Sequence, residues 1–236
     1  MKARTLLAIF TLMGLGLMGL GLTGLTLSPV MAEDTKPAFV VTYLEVSPDS
    51  VAQSGGLLKT YAAAAQKAAG TVQFETFQRI GQSNHFAIVE SWADTRAQEA
   101  FAASPATKEF RARIDPLRIG PYDERTHVAL TVGPKVATPA GAVVGITHVD
   151  FVPTSKDEGT AMLQTLADQS RGRPGNIRCD VWVQASRGNH LTIVESWKSM
   201  AALEKYTTEA ATRTFREKLM PMSGSLYDQR LYRALR

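Results

Sequence analysis

The chain has 236 residues, with 26 Lys and Arg against 22 Asp and Glu, a formal net charge of +4. The basic residues are scattered among acids instead of being clustered on one face or interleaved with aromatics, so no nucleic-acid partner is implied. A single cysteine, Cys179, excludes an intramolecular disulfide and leaves the fold to its core.

Lys2 and Arg4 precede an apolar run from Leu6 to Leu27 interrupted only by Gly and Thr, and Val30 and Ala32 then stand before the acidic Glu33 and Asp34. This is the order of a secretory signal peptide over residues 1–32, with small side chains three and one positions before a cut after Ala32. The expected mature chain is periplasmic or secreted. The alternative is an uncleaved anchor, because roughly 22 residues at ~1.5 Å each just span a bilayer, although five glycines weaken such a helix. No second long apolar run follows, so nothing beyond the leader is expected to enter a membrane.

The rest of the chain repeats itself. Asn84-His85-Phe86-Ala87-Ile88-Val89-Glu90-Ser91-Trp92 returns as Asn189-His190-Leu191-Thr192-Ile193-Val194-Glu195-Ser196-Trp197. At that spacing, ~105 residues, about 26 of roughly 94 ungapped positions are identical, which means duplication of a whole domain instead of a solenoid. The copies are expected over residues 38–131 and 142–236.

In chain order, Phe39–Val46 is rich in β-branched and aromatic residues and reads as a strand ended by Pro48. Leu57, Leu58, Tyr61, Ala62 and Ala65 then recur at helical spacing up to Gly70. The runs 72–80 and 86–92 flank Gly81-Gln82-Ser83-Asn84 and predict a hairpin. A helix over 95–117, bent near Pro105, leads to a last strand at 122–131. The second copy gives the same order at 143–152, 161–169, 177–185, 191–197, 200–222 and 226–235, after a Gly/Pro/Ala/Thr-rich linker, 132–142. The fold class is therefore α+β: two ferredoxin-like βαββαβ domains. Each sheet has helices on one face only, and the other copy is the natural cover for its bare face.

Asn-x-x-x-Ile-Val-Glu-x-Trp on the third strand, then Ala97, Glu99, Ser104-Pro105 and Phe110, resembles the antibiotic biosynthesis monooxygenase family of the dimeric α+β barrel superfamily, in particular its small quinol monooxygenases. The resemblance spans nearly all of both copies. It implies intramolecular pairing of the two domains, sheet to sheet, as a pseudo-dimeric barrel. It also implies a monooxygenase acting on a quinol or other phenolic small molecule, with no cofactor, the electron-rich aromatic itself reducing O2. The alternative function is a non-catalytic small-ligand-binding or stress-related protein on the same fold. Haem-degrading relatives need an axial histidine on the second helix, and neither 95–117 nor 200–222 has one.

Candidate catalytic residues are Glu90, Trp92 and His85, with Glu195, Trp197 and His190 in the second copy. By strand alternation each Trp shares a sheet face with its own Glu. The Trp is either the family's pocket residue or a core aromatic. A carboxylate inside an apolar strand needs a partner or a raised pKa, so each Glu is either a general base or half of an ion pair with Arg125 or Arg230, or with Arg111 or Arg216. The histidines have the opposite parity and suit proton transfer, though relatives carry Arg there. No metal site is expected from histidines without ligand-spaced companions. Asn84 and Asn189 are turn residues or substrate amides. Tyr122 with Arg125, and Tyr227 with Arg230, either orient a polar aromatic ligand or lock the copies together. Because all these residues recur, two similar pockets are expected. Their flanks differ at Phe77/Trp182, Tyr43/His148 and Phe74/Cys179.

Overall fold

The computed structural model describes residues 36–236, so the expected leader lies outside the described residues. The first copy runs β1 (Ala38–Glu45), α1 (Val51–Ala65), β2 (Thr71–Arg79), β3 (His85–Trp92), α2 (Thr95–Ala102), α3 (Pro105–Ile114) and β4 (Asp123–Thr131). The second runs β5 (Val143–Asp150), α4 (Lys156–Arg171), β6 (Asn176–Gln184), β7 (His190–Trp197), α5 (Met200–Thr208), α6 (Ala210–Leu219) and β8 (Asp228–Ala234). The expected βαββαβ order holds in each copy, with the long second helix divided in two.

That division has two different local causes. In the first copy Pro105 opens α3 and Ser104 caps it, its hydroxyl accepting from the Thr107 amide at 3.2 Å. In the second copy there is no proline. Glu209 takes an extended conformation (φ −63°, ψ 144°) and supplies no side-chain cap. The break therefore follows from tertiary packing, and α6 starts with weaker local support than α3.

Within each copy the strands lie in the order β4-β1-β3-β2 and β8-β5-β7-β6, and the two sheets join edge to edge through β2·β8 and β4·β6 into one closed antiparallel barrel. Among the described residues no strand edge is left free to pair elsewhere. Gly70 and Gly175 open β2 and β6 at φ 78° and 86°, and a Cβ at either would collide with Ala97 or Ala202 on the following helix.

Alternation along the strands splits the core in two. Leu44, Phe86, Ile88 and Trp92 face the helices with Tyr61, Phe101 and Phe110, while Phe39, Val41, Tyr43, Phe77, Val89, Ile146, Trp182, Val194 and Tyr232 fill the barrel. Inside the barrel, equivalent positions of the two copies meet. The Tyr43 hydroxyl donates to His148 Nε2 at 2.7 Å, and Arg125 and Arg230 lie over the Tyr43 ring at 5.4 and 5.1 Å. Burial, then the two guanidiniums, push the His148 imidazole down to about 3, so it is neutral and its Nδ1–H donates to Thr192 Oγ1 at 3.1 Å.

At another point of the barrel Glu75 and Asp180, again equivalent positions, share one cation. Arg178 donates to Asp180 at 2.6 Å and to Glu75 at 3.2 Å, with its side chain 5% exposed. The linker is pinned to the same acids, the Gly133 amide donating to Asp180 and the Thr138 amide to Glu75. Replacing Arg178 with Met leaves the buried Asp180 and the partly buried Glu75 without their cation. The expected loss of unfolding free energy is about 3–5 kcal/mol, read from chemical denaturation; a loss below about 1 kcal/mol would mean that the linker amides alone satisfy the acids.

Candidate functional site

The structure brings Glu90 with Trp92, and Glu195 with Trp197, onto the helix-facing side of the sheet, and it separates them from the histidines. Each indole donates to its own carboxylate two residues away, Trp92 Nε1 to Glu90 Oε2 at 2.9 Å and Trp197 Nε1 to Glu195 Oε2 at 2.8 Å. The ion pair expected as one alternative does not form. No Arg or Lys pairs with either carboxylate among the described residues, and Arg125 and Arg230 turn into the barrel to fork onto Asp123 and Asp228. The Tyr-Asp-Arg constellation is thus divided by strand alternation. Tyr122 and Tyr227 pack on the helix side, and their arginines do not reach them.

His85 and His190 sit near carboxylates of the adjacent strand, 3.7 Å from Glu45 and 3.1 Å from Asp150, on the face away from the Glu–Trp pairs. Asn84 and Asn189 tie the hairpin to the end of the first strand, their amides donating to the Val46 and Phe151 carbonyls at 3.2 and 2.9 Å. Of the twelve residues selected from sequence, the Glu, Trp and Tyr of each copy converge on one face, and the His, Asn and Arg lie elsewhere.

Burial makes the carboxyls poor acids. Desolvation raises Glu90 to about 8, the Trp92 hydrogen bond opposing it and Glu124 adding to it. Glu195 is likewise raised by burial, against hydrogen bonds from Trp197 and from Gln229, whose Nε2 donates to Oε1 at 3.0 Å, and against the charge of Arg216. Gly145 pairs with Glu195 across the sheet, and a Cβ there would stand 3.1 Å from Oε1; the first copy has Val40 at this place.

The two helix-side sites differ in what fills them, which corrects the expectation of two similar pockets. In the first copy Tyr61 of α1 lies flat on Phe110 of α3 (4.1 Å, 3°), beside Phe101 (5.3 Å) and edge-on to Phe74 (5.3 Å, 89°). The gap left between α1 and α3 is about 90 Å³. In the second copy the aligned residues are Leu166 and Cys179, and Tyr206, in place of Phe101, stacks on Trp197 (4.5 Å) with its hydroxyl on Ser170 (2.5 Å). Between α4 and α6 a mostly apolar cavity of about 540 Å³ opens, a volume in the range of small-molecule sites. Leu166, Tyr206, Thr212 and Phe215 form its inner wall. The same four side chains bound a small pocket of about 10 Å³ reaching Glu195, Arg216, Tyr227, Gln229 and Cys179.

Arg216 completes the second site. Its counterpart Arg111 lies 3.6 Å from Asp115 and 3.5 Å over the Tyr122 ring. In the second copy position 220 is Met and position 229 is Gln where the first has Asp115 and Glu124. Arg216 lies over the ring of Tyr227, at 4.7 Å, acts on Glu195 through its charge, and has its Nε buried without a hydrogen-bond partner. Sequence reasoning had Arg216 only as an ion-pair partner for the Glu and missed Gln229, Phe215 and Leu166. The signal was present in the Asp115/Met220 and Glu124/Gln229 differences, which strip the second copy of acids around one Arg. Of the three flank differences noted, Phe74/Cys179 is in the site; Tyr43/His148 and Phe77/Trp182 are barrel residues.

A single-chain, pseudo-dimeric α+β barrel with an indole-held carboxyl under each helix layer is the class of protein that this geometry defines. The chain belongs to the antibiotic biosynthesis monooxygenase family, whose profile matches residues 37–113 and 143–218. Among solved structures it is similar to a proposed monooxygenase from Fusobacterium nucleatum (TM-score 0.79, 14% identity, 87% of this chain and 94% of that one). It is similar also to a proposed monooxygenase from Lactobacillus acidophilus (TM-score 0.72, 11% identity, 85% and 95%). An anthrone oxidase-like protein matches with TM-score 0.64 and 14% identity over 86% and 93%. At these identities the likeness is one of fold. No curated protein matches the sequence.

The raised value of Glu90 has a thermodynamic consequence. Its neutral form fits the folded site, so it contributes stability that is fully present below the unfolded value of 4.5 and is lost as pH rises through about 8. Over that window its contribution falls by about 1.4 kcal/mol per pH unit. Glu90→Gln should flatten the fall of unfolding free energy between pH 5 and 8 relative to wild type, as followed by denaturant titration at each pH; identical slopes would show that Glu90 is charged in the fold.

Proposed function

We propose that this protein is a monooxygenase that oxidises a quinol or other phenolic small molecule with O2, and that the reaction takes place in the second copy, at Glu195. The observation that carries this reading is the buried Glu195 carboxyl with Arg216, whose Nε lacks a hydrogen-bond partner, lining the same small pocket behind a largely apolar cavity. The arrangement suits a phenol: an apolar ring enters between α4 and α6, and its oxygen meets a proton acceptor and a cation together.

To reach Glu195 the ring has to part the wall of Leu166 and Phe215. Arg216 stabilises the oxygen as an anion, and Glu195, in its ionised form, takes the proton. The phenolate then gives an electron to O2, the resulting radicals join through a carbon–oxygen bond, and Glu195 returns the proton as the oxygen–oxygen bond breaks. A hydroquinone plus O2 becomes a hydroxyquinone plus water, so the substrate supplies every electron. Trp197 and Gln229 hold the carboxyl in place and are positioning residues. The non-catalytic alternative shares the cavity and differs in giving no turnover.

The test is oxygen consumption with a panel of hydroquinones, together with product oxygenation in air and its loss under anaerobic conditions. Glu195→Gln should lower kcat by about 10²-fold or more, while Glu90→Gln leaves it near wild type. Because the base form is required and burial raises Glu195, kcat should climb with pH through a midpoint above the ordinary glutamate range. A folded protein that binds a phenol yet consumes no oxygen with any panel member would favour the binding-protein reading.

We also propose export by the N-terminal segment, on the strength of its charge, apolar core and small-residue order. Mature protein from the periplasm should begin near Glu33; recovery of an intact Met1 form in the membrane fraction would establish the anchor instead.

A further inference from the structure

The first copy contains a phenol already. Tyr61 carries it between the helices, with its ring parallel to Phe110 at 4.1 Å, its flank against Phe101, and its hydroxyl on Thr107 Oγ1 at 3.1 Å. In the second copy the tyrosine is Leu166, yet the residues that receive it recur as Phe215, Tyr206 and Thr212, and all three line the open cavity. Phe110 is 4% exposed where Phe215 is half-buried, as expected of a ring that has lost its stacking partner.

We propose that Tyr61 is a built-in stand-in for the ligand, and that the second copy takes a free phenol in the place that Tyr61 occupies in the first. The ligand's ring stacks on Phe215 and its hydroxyl meets Thr212, in the outer cavity, before the ring advances toward Glu195. This rests on the functional reading above for the identity of the site, and it adds the ligand's binding pose and the reason that the first copy takes none. Leu166 and Cys179 become the selecting residues: Leu166 leaves the ring's place empty, and Cys179 withdraws the edge that Phe74 offers in the first copy.

The α1–α3 contact supports the same inference from the protein's side. Tyr61 joins α1 to α3 through its stack and its hydrogen bond, and Ser104 secures the start of α3. The second copy has neither the ring stack nor the cap; Tyr206 of α5 carries its hydroxyl to Ser170 of α4 and toward Thr212 of α6 instead, so a bound phenol would add the stack that α4 and α6 lack and tighten that helix pair.

The probe is p-cresol, which is the tyrosine side chain as a free molecule, with toluene as its counterpart lacking the hydroxyl. Calorimetric titration of the protein should give one equivalent of p-cresol, bound several-fold to about tenfold tighter than toluene, as one added hydrogen bond allows. Leu166→Tyr should abolish that equivalent and raise the Tm of the unliganded protein. Unchanged stoichiometry in a folded Leu166→Tyr variant, or equal binding of toluene, overturns the proposal. Should Leu166→Tyr fail to fold, the reciprocal Tyr61→Ala decides: a second equivalent of p-cresol, with recovery of lost Tm, is the expected result, and a single equivalent overturns it. None of these readouts uses turnover. Binding as expected without oxygen consumption would refute the reaction alone, and turnover that persists in Leu166→Tyr would place the chemistry elsewhere.

Discussion

Everything in this molecule depends on the two edge pairings β2·β8 and β4·β6. A four-stranded βαββαβ sheet has two open edges and one bare face, and the helices that follow its strands cover only the other face. Joining the copies edge to edge removes all four open edges and turns both bare faces into one interior. The interior is then forced to solve a symmetry problem, since equivalent residues of the copies face one another there. Tyr43 meets His148, and Glu75 shares space with Asp180. Two buried acids side by side would be costly. Arg178, standing where the first copy has Gln73, resolves that meeting by breaking the symmetry.

The helix layers are under no such constraint. They cover the outside of the barrel, and each packs on its own sheet, so a change in one is not felt by its counterpart. The shared elements are the ones the sheet itself needs: a Trp that ends the third strand and a Glu that its indole holds. The variable elements are side chains projecting down from the helices and up from the second strand of each copy. Tyr61 and Phe74 close one layer; Leu166 and Cys179 open the other.

Much of this was legible in the sequence because it depends on period and repetition. The alternation in Ile88-Val89-Glu90-Ser91-Trp92 put the carboxyl and the indole on one face, and the structure makes them hydrogen-bond partners. The ~105-residue repeat and the bare sheet face implied the pairing of the copies. Parity also put His85 on the face away from Glu90, as the structure has it; it was not applied to Arg125, which is an odd step from Tyr122 and so belongs to the barrel. The ion pairs considered for the Glu residues did not form: each carboxyl is held by the indole two residues on, and burial raises its pKa. The contrast between the sites was hidden for a different reason. Identity at the motif says nothing about which helix residue lies over it, and Tyr61 and Leu166 stand on a different element, roughly 30 residues earlier in chain order.

A single chain also changes what duplication allows. In a dimer of identical subunits, any substitution that widens one pocket widens both and thins the helix packing twice. Here the cost of an opened layer is borne once. The first copy keeps an aromatic stack of Tyr61, Phe101, Phe110 and Phe74, with Trp92 against it, and so retains a tightly packed half. The second copy gives up that stack, the Ser104-type cap and the acids around Arg216. Each loss removes an internal partner from a group that a phenolic ligand is able to satisfy: a ring face at Phe215, a cation at Arg216, a gap between α4 and α6. A site assembled from withdrawn partners leaves the barrel intact, because none of the withdrawn residues takes part in the pairings that close it.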